Sequence, residues 1–425
     1  FIIVCYFQIF SFIRSRIQET YKIFGFDSKI IIRFLEFSSF LITFAPQKSF
    51  SMIDRTIEQD ITPLLHSQKA IIIMGARQVG KSTLLGKMLS GRSDVLWLNG
   101  DDPDTQALFQ GITSTRLRTL LATYRIVVID EAQRIADVGL RMKLITDQIP
   151  GVQVIATGSS SFTLGNKVNE PLTGRKREFT LFPLTFAEMV AHTNLLDELR
   201  LLPHRMVYGY YPEVVSTPGG ETAVLKELAS SYLYRDILSL DGIGKPDKVV
   251  RLVQALAYQI GSQVSYNEVG QLVGLDPKTV ERYIDILEKS FVVFRLGSFS
   301  RNLRNELKQS RKIYFWDLGI RNAVIGNLSQ VESRTDVGAL WENLCIAERM
   351  KLLNYRGSLA HSWFWRTQQQ KEIDYLEEEN GVLQAFEFKW NERKGNSRCP
   401  AAFATAYPDA VFQVVTPGNV EEYLL

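Results

Sequence analysis

A short stretch from Gly75 to Ser82 has the residue types and spacing that bind a polyphosphate. It fits the pattern G-x-x-x-x-G-K-[ST] without a mismatch. The apolar run from Ala70 to Met74 precedes it, and a helical pattern follows. Glycine lets such a loop bend around an anion, which the backbone N–H groups and the positive end of the helix then hold. The sequence therefore predicts a buried strand, a phosphate-binding loop and a helix, in that order.

The loop also predicts the identity of the ligand. Lys81 would place a positive charge at the β- and γ-phosphates, and Ser82 would offer a hydroxyl to Mg²⁺. ATP with Mg²⁺ is therefore the expected ligand. The expected nucleotide-binding residues of the loop are Gly75, Ala76, Arg77, Gln78, Val79, Gly80, Lys81, Ser82 and Thr83.

Two adjacent acids follow the apolar run from Ile126 to Ile129. In parallel α/β sheets, the carboxyl ends of the strands are where ligands bind. We expect Asp130 to hold Mg²⁺ together with Ser82, and Glu131 to polarise the attacking water. A strand that ends in two acids is common by itself, but its position after a complete phosphate loop favours a hydrolase.

Two further polar features follow in the same half of the chain. The hydroxyl cluster that begins at Ser159 predicts a hydrogen bond to the γ-phosphate, with a turn or helix N-cap as the alternative. The basic stretch 174–177 is expected in a loop before a strand at 178–181. There Arg175 could reach the γ-phosphate of a neighbouring subunit, or could simply belong to a solvated basic turn.

Five predicted strands alternate with helices up to about residue 190, which, with the phosphate loop, predicts a parallel α/β sheet of the P-loop NTPase type. The predicted domains are a leader at 1–51, the ATPase domain at 52–190, a helical lid or linker at 191–246, a winged helix-turn-helix at 247–300 and a last domain at 301–425. We expect the leader to be disordered or an artefact of the gene model, with an interfacial membrane anchor as the alternative.

Composition narrows the class of protein. The chain has 425 residues and a net charge of +3, so bulk charge does not argue for a nucleic-acid partner. Its three cysteines lie far apart, which argues against a disulfide framework and favours a cytoplasmic location. The sequence offers no uninterrupted apolar stretch of membrane-spanning length, so no stable membrane span is expected.

The predicted winged helix-turn-helix has helices at 249–260, 266–273 and 279–290. Asp276 and Pro277 fit the N-cap and first position of the third helix. The charges on this third helix are balanced, so a role in packing or assembly is as well supported as DNA binding. The basic residues between 301 and 312 are phosphate-contact candidates or belong to a solvated loop.

Acidic and basic side chains alternate with apolar ones on the strands predicted near the C-terminus, at 362–366, 372–376 and 382–390. Because successive side chains of a strand point to opposite faces, Asp374, Glu387 and Lys389 can share one face. A half-buried antiparallel strand normally shows the same alternation, so this pattern is weak by itself.

The order of these motifs resembles the prokaryotic AAA+-like ATPases that carry a C-terminal DUF4143 domain. The resemblance rests on the phosphate loop, the strand ending in Asp130, the segments Thr157–Ser160, Leu172–Arg175 and Leu181–Glu188, and the segment Tyr208–Glu213. It implies an AAA+-type core, a winged-helix segment and an α/β restriction-endonuclease-like domain.

The C-terminal acids also resemble the D…E-x-K core of the PD-(D/E)xK nuclease superfamily. This resemblance implies catalytic roles for Asp374, Glu387 and Lys389, and a second metal site formed by Glu342, Asp374 and Glu387. Ile373 stands where the pattern has proline.

The expected function is an ATPase that couples its nucleotide state to a nuclease-like or nucleic-acid-associated module. The alternative is a regulatory switch whose C-terminal domain only binds a partner. ATP, DNA or RNA, and further copies of the chain in a homo-oligomer are the expected partners.

Overall fold

The computed structural model describes most of the chain after residue 51, and all elements below are numbered over that part. The described residues are 52–159, 168, 171–230, 244–300, 311–367, 369–391 and 398–425. Several predictions lie outside these residues, namely the leader at 1–51, Ser160 and Ser161, the end of the 221–240 helical stretch, and the basic residues Arg301, Arg304 and Lys308.

A five-stranded parallel sheet carries the first half of the chain. Its order is β2-β3-β4-β1-β5, with every neighbouring pair parallel. The apolar side chains of the central strands are buried on both faces, as a parallel sheet between helical layers requires. This confirms the predicted parallel α/β fold. The strands are β1 Ala70–Met74, β2 Val95–Asn99, β3 Ile126–Asp130, β4 Gln153–Gly158 and β5 Lys176–Thr180.

Helices accompany these strands in the described part of the chain. The first helix after β2 begins at Pro103. Asp102 caps this helix, because its carboxylate accepts a hydrogen bond of 3.0 Å from the Asp104 N–H, and proline suits a first helical position. The helices are α1 Glu58–Ile61, α2 Lys81–Met88, α3 Pro103–Phe109, α4 Ser114–Leu120 and α5 Val138–Gln148.

The strand β5 begins earlier than predicted. Lys176 and Arg177 were expected in a loop, but they pair with Ala70 and Ile71 of β1 as the first residues of the strand. These basic residues belong to the outer strand of the sheet because they pair with the buried β1. Local strand propensity does not indicate this pairing.

A helical region follows the parallel sheet. Its first helix begins with a capping box, in which Thr185 and Glu188 each accept a hydrogen bond from the other's backbone N–H. The three helices predicted between 249 and 290 are present, and Asp276 caps the third as expected. The helices are α6 Phe186–His192, α7 Leu195–Arg200, α8 Leu202–Tyr208, α9 Pro212–Ser216, α10 Glu221–Leu228, α11 Pro246–Tyr258, α12 Tyr266–Val273 and α13 Pro277–Lys289.

A seven-stranded mixed sheet, in the order β12-β11-β10-β9-β7-β8-β6, carries the second half. The strand after α13 pairs with β8 and with β9, so one sheet continues through position 300, where the sequence suggested a domain boundary. The strands are β6 Gln263–Val264, β7 Val293–Ser298, β8 Arg311–Phe315, β9 His361–Arg366, β10 Glu372–Glu379, β11 Val382–Phe388 and β12 Val411–Val415. The helices are α14 Leu318–Val324, α15 Val337–Tyr355, α16 Ala401–Ala406 and α17 Val420–Leu424.

Gly209 lies between α8 and α9, where the helical region packs against Asp317, two residues after β8. Its φ of +74° and ψ of −160° belong to a region that almost only glycine adopts. A Cβ at this position would lie 2.3 Å from Asp317 Oδ1. The buried Asp317 carboxylate accepts hydrogen bonds from the Tyr210 N–H at 2.7 Å and from the Ile320 N–H at 3.0 Å. The chain therefore needs glycine here for both conformation and space.

We expect Gly209→Ala to destabilise the protein by roughly 3 kcal/mol or more, because it adds a clash with Asp317 to the backbone strain. Gly219→Ala is the matched control, since Gly219 also has a positive φ but open space around its Cβ position. That change should cost about 1 kcal/mol. Urea unfolding measures both losses, and equal losses would contradict the role of Asp317.

Candidate functional site

The phosphate loop has the conformation that its glycines predict. Gly80 has a φ of +96°, and Gln78, which is not glycine, has a φ of +60°. At the other end of the loop, a Cβ on Gly75 would lie 2.1 Å from the Leu181 carbonyl oxygen. The first glycine is therefore needed for close backbone packing, and the second for a left-handed turn into α2.

Lys81 lies inside the loop. Its side chain is almost fully buried, and its Nζ donates hydrogen bonds to the carbonyl oxygens of Gly75 at 2.9 Å and Ala76 at 2.8 Å. Burial lowers the pKa of Lys81 to about 8, although the nearby carboxylates of Glu131 and Asp130 act to raise it. The ammonium is therefore desolvated beside the loop that would hold the phosphates.

Ser82 and Asp130 lie together, as expected for two Mg²⁺ ligands. Ser82 Oγ donates to Asp130 Oδ2 at 2.7 Å, and the hydroxyl of Thr157 donates to Asp130 Oδ1. Because β1, β4 and β3 are adjacent and parallel, their carboxyl ends bring these groups to one edge of the sheet. Hydroxyl and carboxylate oxygens are the ligands that Mg²⁺ prefers, so these residues fit the ion.

Thr157 is a site residue that sequence reasoning missed. Besides its contact with Asp130, its hydroxyl accepts a hydrogen bond of 3.1 Å from the Glu131 N–H. Only its place at the carboxyl end of a strand next to β3 could have indicated this role.

Glu131 has a left-handed backbone conformation, with a φ of 48°. Gln133 donates to its carboxylate and also to Ser159 Oγ at 3.0 Å, so the predicted γ-phosphate sensor lies near the predicted catalytic acid. A Cβ on Gly100 would lie 2.3 Å from the Glu131 carbonyl oxygen. A glycine at the end of β2 therefore makes room for this turn.

A cavity of about 450 Å³ adjoins the loop. One part of its wall consists of loop and helix residues, including Lys81 and Ser82, together with Glu131. Pro212, Glu213 and Ser216 of α9 also line it. No role had been expected for these three residues. They place the helical region in direct contact with the candidate nucleotide pocket.

Arg175 lies near the amino-terminal end of β1, whereas the phosphate loop follows the carboxyl end of the same strand. Its carbonyl oxygen accepts from the Ala70 N–H at 2.9 Å, and its side chain pairs with Asp147 at 2.7 Å. Ala70 starts β1, whereas the loop follows the end of β1. Arg175 therefore does not contact the loop of its own chain, and a role in a neighbouring subunit stays a prediction.

The C-terminal residues Asp374, Glu387 and Lys389 lie together on the second sheet. The antiparallel register pairs Tyr375 with Phe386, which places Asp374 opposite Glu387. Asp374 Oδ2 accepts from the Phe388 N–H at 2.9 Å, and Lys389 Nζ donates to Glu387 Oε1 at 2.5 Å.

Lys312 is a member of this cluster that the sequence did not indicate. Only 1% of its side chain is exposed, and its Nζ pairs with Glu342 Oε1 at 2.9 Å and with Glu372. Burial acts to lower the pKa of Lys312, but Glu342 and Glu372 raise it above its ordinary value. The sequence predicts Lys312 in a basic run that contacts phosphate or belongs to a solvated loop, whereas the pairing of β8 with β7 buries it.

The carboxylates of the cluster do not form a metal-ligand set in the structure. No group of three or more His, Cys, Asp or Glu side chains that could hold a metal ion occurs among the residues that the structure describes. Burial raises the pKa of Asp374 well above its usual range, and the neighbouring Glu342 and Glu387 raise it further.

Three acidic side chains of α13 form ion pairs with the second sheet. Arg295 of β7 pairs with Asp285 and Glu288, both at 2.5 Å, and Arg311 of β8 pairs with Glu281 at 3.2 Å. These pairs attach α13 to the second sheet, and both a packing role and DNA binding stay predictions for this helix.

Three family models match separate parts of the chain. Residues 67–190 match the AAA domain, residues 199–331 match a domain of unknown function, DUF8612, and residues 337–422 match the domain of unknown function DUF4143. The first match covers the parallel sheet, the phosphate loop and the Asp130–Glu131 pair. The chain contains an AAA-type ATPase domain. The DUF8612 match spans the α8–α14 region, across the predicted boundaries at 246 and 300.

Uncharacterised proteins resemble most of the chain. One from Mycobacterium tuberculosis is 26% identical over 391 residues, which cover 85% of this chain and 84% of the relative. One from Methanocaldococcus jannaschii is 22% identical over 352 residues, covering 77% and 76% of the two chains. Among solved structures, a Walker-type ATPase of Pyrococcus abyssi is 15% identical with a TM-score of 0.45, and the match covers 64% of this chain and 96% of that one.

None of the helices in the described part of the chain is long and apolar enough to cross a membrane.

We expect Thr157→Val to lower kcat for ATP about tenfold, because it removes the hydroxyl that orients both Asp130 and Glu131 while keeping the side-chain shape. Thr146→Val is the matched control, since the Thr146 hydroxyl only donates to the Met142 carbonyl oxygen within α5. Steady-state hydrolysis measures both variants. An unchanged kcat in Thr157→Val would show that Thr157 does not orient the acids.

Proposed function

We propose that the AAA-type ATPase domain is a Mg²⁺-dependent ATP hydrolase. The observation that carries this proposal is the contact between Ser82 and Asp130, with Glu131 next in the chain, at the edge of the phosphate loop. This arrangement puts an Mg²⁺ ligand pair and an acid for water activation beside one cavity.

Each group has a distinct task in this proposal. Lys81 exchanges the loop carbonyls for the β- and γ-phosphate oxygens, and the loop N–H groups hold the phosphates. Glu131 orients the attacking water and accepts its proton, while Ser159 hydrogen-bonds the γ-phosphate. Mg²⁺ bound by Ser82 and Asp130 would neutralise charge on the phosphates.

We further propose that nucleotide binding is coupled to the C-terminal half. Support comes from α9, which lines the nucleotide cavity with Pro212 and Glu213 and follows directly on Gly209 and Tyr210, which contact Asp317. A change in the cavity therefore reaches Asp317, two residues after β8, through one short chain segment and the hydrogen bond from the Tyr210 N–H.

The coupled module is either nuclease-like or a partner-binding switch. The common face of Asp374, Glu387 and Lys389 favours the nuclease-like module. The ion pairs of Lys312 with Glu342 and Glu372 favour the switch, because a resident ammonium already neutralises these carboxylates. We propose the switch as the better-supported function, with a homo-oligomer and a nucleic-acid partner as further proposals.

Two variants test the ATPase assignment. Lys81→Ala should abolish detectable ATP binding, because it removes the charge that faces the phosphates. Glu131→Gln should bind ATP with wild-type affinity but hydrolyse it at least about a hundredfold more slowly, because glutamine cannot accept the proton from water. Calorimetry measures binding and phosphate release measures turnover. Full turnover by Glu131→Gln would assign the catalytic base elsewhere.

A cleavage assay separates the two C-terminal functions. Under the switch proposal, the protein with Mg²⁺ or Mn²⁺ should not cut DNA or RNA above the level of Asp374→Ala, whether ATP is present or absent. Glu379→Ala, at the exposed end of the same strand, is the matched control. Cleavage by the wild type and Glu379→Ala that is lost in Asp374→Ala would instead establish the nuclease.

A further inference from the structure

Arg55 is a buried arginine directly behind the phosphate loop, just before α1. Its side chain is 6% exposed. The two terminal nitrogens donate to the Val79 carbonyl oxygen at 2.7 Å and to the Phe182 carbonyl oxygen at 2.6 Å, and Nε donates to Glu188 at 3.2 Å. A buried guanidinium is costly unless its donors are paired, so these acceptors are held firmly in place.

The bond to Val79 controls the direction of a phosphate-binding amide. Because a trans peptide is planar, the Val79 carbonyl and the Gly80 N–H point in opposite directions. Arg55 holds the carbonyl at the back of the loop, so the Gly80 N–H is turned away from Arg55, toward the side on which loop amides cradle phosphate. The left-handed conformations of Gln78 and Gly80 on either side of Val79 keep this peptide in place.

The bond to Phe182 ties the same guanidinium to the start of the loop. Leu181, the residue before Phe182, donates its N–H to the Met74 carbonyl oxygen at 2.7 Å. Its own carbonyl lies so close to Gly75 that only glycine fits there. The start of the loop therefore contacts Leu181, and its end contacts Arg55, which is itself bound to Phe182.

A tyrosine from the C-terminal half completes this arrangement. The hydroxyl of Tyr355, the last residue of α15, accepts a hydrogen bond of 3.1 Å from the Phe182 N–H, and Arg55 donates to the carbonyl oxygen of the same residue. Its ring packs on Phe182, with 5.8 Å between the ring centroids. On the same helix, Glu348 accepts from the Phe186 N–H at 2.7 Å. The end of α15 is thus attached to the segment that supports the loop.

The other end of α15 carries Glu342, which pairs with Lys312 in the carboxylate cluster. Glu342 and Tyr355 lie about 20 Å apart along one continuous helix. A shift of this helix at the cluster would therefore move the Tyr355 hydroxyl.

We propose that Arg55 and Tyr355 are positioning residues for the phosphate loop, through which the C-terminal half sets the affinity for ATP. The proposal rests on ATP binding at the loop. It has a reciprocal consequence: whatever binds the C-terminal half and shifts α15 changes ATP affinity by the same factor by which ATP changes the affinity for that partner.

The test compares two tyrosine variants of the full chain. Tyr355→Phe removes only the hydroxyl beneath the loop. Tyr375→Phe is the matched control, because its buried hydroxyl also makes a hydrogen bond, to Ser362 Oγ at 2.7 Å, but lies on β10 away from the loop. Calorimetry gives Kd for ATP, steady-state hydrolysis gives kcat and KM, and thermal unfolding shows how far each variant is destabilised.

We expect Tyr355→Phe to raise Kd and KM for ATP roughly three- to tenfold, because it removes one buried hydrogen bond that positions the binding loop. The value of kcat should stay within about twofold of wild type. Tyr375→Phe should leave both constants unchanged. A Kd for Tyr355→Phe within twofold of wild type would overturn the proposal, and so would an equal rise in both variants.

The variant Arg55→Lys tests the positioning role of Arg55 directly. Lysine keeps the charge but lacks the planar fork that reaches Val79, Phe182 and Glu188 together, so Kd should rise more than in Tyr355→Phe. A smaller rise would contradict the proposed role of Arg55. If the wild type binds no ATP, the proposed function fails as well; if it binds ATP and Tyr355→Phe is unchanged, only the positioning role fails.

Discussion

Buried charges between the parallel sheet and helix α15 must find partners, and this requirement constrains the rest of the structure. Arg55 pairs with Glu188, and Lys351 of α15 pairs with Glu348, which in turn accepts from the start of α6. An unpaired charge at any of these positions would be strongly destabilising, so the partners must meet in one geometry. The same geometry positions the phosphate loop, because Arg55 also donates a hydrogen bond to the Val79 carbonyl oxygen.

Close packing between the helical region and the segment after β8 explains the glycines at positions 209 and 319. Gly209 and Gly319 each face a backbone or carboxylate oxygen at a distance that excludes a Cβ. Asp317 lies between them in the chain and accepts from Tyr210 N–H, and Asn322 donates to the carbonyl oxygens of Met206 and Val207. The helical region that lines the nucleotide cavity is thereby hydrogen-bonded to α14 and to the residue directly before it.

The second sheet illustrates how one pattern of residues serves two different chemistries. Asp374 and Glu387 occupy one face, as a metal-dependent nuclease would need, but the buried Lys312 pairs with the neighbouring Glu342 and Glu372. Glu342 belongs to both arrangements, because the resemblance assigns it to a metal site and Lys312 pairs with it in the structure.

The motifs along the chain were sufficient to predict the parallel sheet, the loop at Gly75–Ser82 and the Ser82–Asp130 pair, because each depends on short-range spacing and strand order. The sequence did not indicate Thr157, Lys312 or Arg55 as members of these sites. Each looks like an ordinary polar residue locally, and its role arises from contacts with residues distant in the chain. Strand pairing determines where Lys312 and Thr157 lie, and desolvation determines what the Arg55 guanidinium must bind, so only the tertiary structure could decide them.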